Sequence, residues 1–162
     1  MKRSFIAKIA TAAATALLAV GLVAGCMGTA PAVNTEQQAN RAYMSQVNQI
    51  MDEVTVQLDE FVEAVSSGDV VAMRTQADSA SQALAKMSAL EAPEALKDIQ
   101  QSYVDGTGKL QDALEQYVAL YAETESASFD STTFNERLGK IQDLYNEGIA
   151  ALQKGDEDAA AL

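Results

Sequence analysis

The 162-residue chain has no histidine and no tryptophan, one cysteine and two prolines. Without histidine, the commonest general base and the commonest transition-metal ligand are missing together. A haem bundle lacks its histidine ligand, and Met73 and Met87 read more simply as core filling. A di-iron bundle needs inward glutamates with Glu-x-x-His, and no glutamate lies on the apolar seams described below. Serine, threonine and tyrosine are present as nucleophiles. With no histidine and no Ser-x-x-Lys motif, no activating base accompanies them. Basic residues are also scarce, 11 Lys+Arg against 23 Asp+Glu, for a net charge of −12. Such a surface repels nucleic acid and anionic headgroups and favours solubility and weak cation association, so no nucleic-acid partner is expected. Scarce proline, with long segments rich in Ala, Gln, Glu, Leu and Met, is helix-forming composition. Periodic apolar positions argue against disorder in this acidic chain.

The first feature present is an apolar run near the N-terminus. Lys2, Arg3 and Lys8 put positive charge in front of it, and Ile9 to Gly25 is then uncharged over 17 residues. That length is at the short limit for a transmembrane span. A charged start, an apolar middle and small residues before a cut site describe a secretory signal. It ends in Val23-Ala24-Gly25-Cys26, which resembles the lipobox of bacterial lipoproteins. The resemblance covers residues 1–26 only. It implies cleavage between Gly25 and Cys26, and diacylglycerol on the Cys26 thiol. A third, palmitate-type acyl chain on the new amino group often follows. Burial of acyl chains contributes roughly 0.8 kcal/mol per methylene, and one chain alone binds a membrane only marginally. Two or three chains therefore give a stable anchor, with the protein exposed outside the cytoplasm. Acylation would leave no free thiol, which removes disulfides and cysteine-based metal or redox chemistry. Apart from this covalent lipid, no cofactor is expected.

Cleavage leaves 137 residues, one domain by length. Without Lys2, Arg3 and Lys8 the mature part carries 8 Lys+Arg against 23 Asp+Glu, a net −15. Residues 26–34 read as the lipidated cysteine and a short tether. A first helix is expected from about Thr35 to Ser66, with Asn34 or Thr35 as cap and Glu36 in its first turn. Its stripe is Tyr43, Val47, Ile50, Val54, Leu58, Phe61 and Val65. Gly68 suits a left-handed C-terminal position. Asp69 caps a second helix to about Glu91, with Met73, Ala77, Ala80, Leu84 and Met87 as its seam. Ala92-Pro93 breaks it, and Pro93 is expected to open the third helix, which runs to Ala122. Leu96, Ile99, Tyr103, Leu110, Leu114, Tyr117 and Tyr121 form its stripe. Gly106 and Gly108 each cost about 1 kcal/mol against Ala, and either allow a close helix contact or mark a bend. Glu123 to Ser128 is a loop. Asp130 caps the fourth helix, with Phe129 and Phe134 spaced as a hydrophobic staple. Its stripe is Phe134, Leu138, Ile141, Tyr145, Gly148 and Leu152, and Gly155 is the expected stop before a frayed acidic tail, 156–162.

Residues 35–155 therefore read as an all-α, antiparallel up-down four-helix bundle behind a cleaved lipoprotein signal peptide. The runner-up is helical hairpins paired with another copy, a homo-oligomer. No sequence repeat of 20–50 residues suggests a solenoid. Counting about 1.5 Å per helical residue from the expected turns sets Val54, Ala80 and Tyr103 at one depth, roughly 17–18 Å below the Ser66–Asp69 turn. Tyr145 falls near them, so two tyrosines would face Ala77 and Ala80. The first helix exceeds the second by roughly ten residues, so its turns up to about Tyr43 would protrude as a partly unsupported stalk. Tyr117 and Tyr121 fall at the other end, near Phe61, Val65, Phe129 and Phe134. They either plug the core, with hydroxyls reaching water, or form a binding surface.

The paired carboxylates Asp52/Glu53, Asp59/Glu60 and Asp156/Glu157/Asp158 lie on the expected wet face, where nothing separates their pKa values as acid–base catalysis requires. The loop from Glu123 lacks the spaced Asp-x-Asp-x-Asp-Gly of a calcium site, so no metal site is expected. The leading expectation is a lipid-anchored, non-enzymatic bundle acting through protein contacts or envelope structure. The alternatives are a small-ligand receptor with an interhelical pocket near Tyr103 and Tyr145, and an extracytoplasmic enzyme with an unrecognised acidic site.

Overall fold

The computed structural model describes residues 35–125 and 130–162. The expected signal segment, Cys26, the tether and Phe129 of the staple lie outside the described residues. Four long helices make up the described chain: α1 (Thr35–Ser67), α2 (Val70–Ala89), α3 (Lys97–Ala122) and α4 (Ser131–Ala160). Single 3₁₀ turns at Glu94–Leu96 and Glu123–Glu125 precede and follow α3. Among the described residues there is no strand, and no helix is long and apolar enough to cross a membrane.

The turn between α1 and α2 is set by local chemistry. Gly68 takes φ +73, the left-handed conformation that costs glycine nothing. The Gly68 amide donates to the Val65 carbonyl and the Asp69 amide to the Ala64 carbonyl, both at 3.2 Å. This pair of bonds satisfies carbonyls that a helix end otherwise leaves open. The Asp69 carboxylate then accepts from the Ala72 amide at 2.9 Å and caps α2. Asp130 does the same for α4, accepting from the amides of Thr132 and Thr133.

The α2–α3 connection differs from the expected one. α2 stops at Ala89, and Leu90 is extended. Pro93 has φ −54 and ψ 154 and stands outside the helix it was expected to open. Leu90 and Ala92 pack on the core, and the Gln100 side chain donates to the Leu90 carbonyl. This inward-turned linker uses up residues before α3 begins at Lys97, so each α3 residue sits lower along α2 than the count from Pro93 gives. Gln111 Nε2 accordingly donates to the Ser81 carbonyl, at 2.9 Å.

The close helix pairings are α1 with α2, α2 with α3, and α3 with α4. The stripes of α1 and α2 are buried as expected, except that Leu58 is half-buried. α3 buries more than its stripe, because it is covered on two sides. Leu110, Leu114 and Val118 join the main core, while Ala113 and Leu120 join Ile141 in a second apolar cluster with Phe134 and Leu138. α3 is unbroken through Gly106 and Gly108. α4 also runs through Gly155 and on to Ala160, so the expected stop and the tail from Asp156 are replaced by helix.

Candidate functional site

The four tyrosines singled out by sequence fall in separate places. Tyr117 and Tyr121 meet at the end where α1 turns into α2. The ring of Tyr117 stands edge-on to Phe61, with centroids 5.7 Å apart at 75°, and stacks with Tyr121 at 6.4 Å and 23°. The Tyr121 hydroxyl lies over Gly68, 3.4 Å from where a Cβ would stand. Burial, and then the neighbouring Tyr121, push the Tyr117 phenol up to about 12. A neutral, half-buried phenol of this kind fits the end of a core as well as a contact surface.

Tyr103 and Tyr145 are not brought together. Tyr103, 1% exposed, lies with its ring on Gly155, where an added Cβ would come within 2.9 Å of Cε1. Gly155 is ten residues beyond Tyr145 on α4, about 15 Å along the helix axis. The register expected from turn lengths fails for two reasons: the inward linker lowers α3, and glycines fix its match to α4. A Cβ on Gly106 would meet the Leu152 side chain at 2.8 Å and the Gly148 carbonyl oxygen at 2.9 Å. One on Gly148 would meet the Gly106 carbonyl oxygen at 3.0 Å. Backbone can approach backbone only because side chains are absent there. Tyr145 is half-buried between the two apolar clusters, and burial raises its phenol pKa.

Around Tyr103 the structure assembles residues that sequence reasoning placed elsewhere. Its hydroxyl donates to Asp156 Oδ1 at 2.7 Å. Burial first, then the bond and charge of Asp156, raise the Tyr103 phenol far above its ordinary value, with a further contribution from nearby Tyr43. Tyr43, expected at the end of a protruding stalk, is 2% exposed and belongs to the main core. Only the turns before Asn40 are fully exposed, so the stalk is shorter than expected. The signal for Tyr43 was its place in the α1 stripe; Asp156 had none, standing beside the like charges Glu157 and Asp158 in an assumed tail. Both Tyr43 and Tyr103 stay neutral near pH 7, so they offer hydrogen bonds and no base.

The carboxylate groups do not gather elsewhere: among the described residues no group of three or more His, Cys, Asp and Glu could hold a metal ion. Several instead pair singly with cations at the surface, as Glu53 does with Lys86 (2.6 Å) and Glu147 with Lys109 (2.5 Å). Comparison of the chain with protein-family models, curated proteins and solved structures returns no match.

Proposed function

We propose that the chain is a lipid-anchored, non-enzymatic helical bundle held outside the cytoplasm of a bacterial cell, acting through protein contacts or envelope structure. The observation that carries this reading is Val23-Ala24-Gly25-Cys26 at the end of the apolar run behind Lys2, Arg3 and Lys8. Lipid on Cys26 would anchor a chain none of whose described helices can span a bilayer. The bundle itself is proposed to be antiparallel and up-down. In support, contacts climb α3 as they descend α4: Tyr103 with Asp156, Gly106 with Leu152, Lys109 with Glu147. The tight Gly68–Asp69 turn and the Glu53–Lys86 pair fit the same arrangement for α1 and α2.

Metabolic labelling with a palmitate analogue tests the anchor. The native chain should take up label and fractionate with membranes, and Cys26→Ser should do neither. Label or membrane retention in the Ser variant would overturn the reading. In-cell crosslinking of the native and Cys26→Ser forms should then return a specific partner from the anchored form.

A further inference from the structure

The last turns of α4 are helical against their own chemistry. Asp156, Glu157 and Asp158 stand near the C-terminal end of the helix, and its last turn carries no basic residue. Open carbonyls make that end of a helix negative, so carboxylates there oppose it. The stretch also follows Gly155, whose backbone lacks a Cβ to hinder a change of conformation. Local support is limited to Ala159, Ala160 and the exposed Lys154–Asp158 ion pair, and exposed pairs contribute little.

What holds these turns comes from α3. The ring of Tyr103 lies on Gly155, and its hydroxyl donates to Asp156 Oδ1 at 2.7 Å. A hydrogen bond to a carboxylate is among the stronger ones, and the donor is a side chain only 1% exposed. One turn beyond Gly155, Ala159 packs on the main core. Counting one turn each way from the Tyr103–Gly155 contact sets Ala159 level with buried Ile99. The helix before Gly155 is fixed independently, by Leu152 in the main core and by Gly148 against Gly106. We propose that residues 155–160 form a strap, latched by the Tyr103–Asp156 bond, that releases about Gly155 while the bundle stays folded. Closed, the strap covers the Tyr103 hydroxyl and the beginning of α3. Open, it offers both to solvent or to another molecule. The device depends on the docked contact and not on the lipid anchor.

Amide exchange of the full chain, read residue by residue and corrected for intrinsic rates, tests the strap. In the native chain, amides 157–161 should open together, about tenfold or more readily than amides 145–152. Equal protection of the two stretches overturns release as a unit. Asp156→Ala removes the latch, yet it also removes an opposing charge and raises local helix preference. Protection at 157–161 should nevertheless fall about tenfold, with 145–152 unchanged. A rise, expected if local preference alone governs these turns, overturns the latch, and so does no change. Tyr103→Phe keeps the ring that fills the core and should reproduce the loss at 157–161. Asp156→Asn keeps an acceptor and should retain most of the protection. A loss spread evenly over α3 and α4 in Asp156→Ala or Tyr103→Phe overturns the strap, because the bond then supports the whole bundle.

Discussion

The α1–α2 and α3–α4 contacts solve the same packing problem by opposite means. α1 and α2 meet through side chains: Val47, Ile50, Val54 and Phe61 on one, Met73, Leu84 and Met87 on the other, all buried. α3 and α4 meet partly through backbone, at Gly106 and Gly148, with Tyr103 set over Gly155. Side-chain packing depends on volume, whereas the glycine contact depends on the absence of volume. Surface ion pairs do not separate the two, since each contact has one, Glu53–Lys86 and Lys109–Glu147. Exposed pairs contribute little in either place.

Substitutions that add or remove volume sharpen this contrast. Leu84→Ala, at a position 0% exposed, should cost about 2–5 kcal/mol in chemical denaturation, the range for a truncated core leucine. Gly106→Ala adds one methyl and should still destabilise. Overpacking costs about 1–3 kcal/mol, and the new Cβ would press on a backbone oxygen 2.9 Å away. The helix-propensity gain of about 1 kcal/mol only reduces that loss. Stabilisation by Gly106→Ala would break the contrast. The reverse exchange, Ala80→Gly in α2, at a position 0% exposed, should cost more than the lost propensity of about 1 kcal/mol, because it also deletes a buried methyl. Gly108→Ala, with nothing within 4 Å of the added Cβ, should raise stability by about 0.5–1 kcal/mol. Gly106 and Gly108 thus differ in sign, two residues apart.

The smallest effect is one of pH. The side-chain bond from Thr133, followed by the amides of Thr132 and Thr133, holds the Asp130 carboxyl below its ordinary value. Its capping of α4 is therefore complete above the unfolded carboxyl range, near pH 4, and fades as pH falls through the lower folded value. Protection of the amides at the start of α4, relative to their intrinsic exchange at each pH, should fall in that acid window. Asp130→Asn, which keeps a capping oxygen, should flatten the pH response.

The elements visible in the sequence are those with local causes. The α1 and α2 stripes follow from helical period, and Gly68, Asp69 and Asp130 act within a few residues of themselves. Features that depend on a distant partner were not visible. Gly155 has the local character of a helix stop, yet Tyr103 from α3 packs on it and the helix continues. Leu120 falls off the α3 stripe because that stripe describes one buried face and α3 has two. The Tyr103–Tyr145 layer failed because an extended linker shifts register without changing sequence distance. Tyr43 and Asp156, placed in a stalk and a tail, flank the most polar part of the core.

Every close helix pairing joins neighbours in the chain, and this has a consequence for speed. Contacts between sequence neighbours close short loops at little entropic cost. Helical proteins built from such contacts fold in about microseconds to milliseconds. A chain emerging N-terminus first can form the α1–α2 hairpin before α4 exists and add one helix at a time. The time for which apolar surface stands exposed is then set by the arrival of the next helix, and α3, buried on two sides, waits longest for its cover.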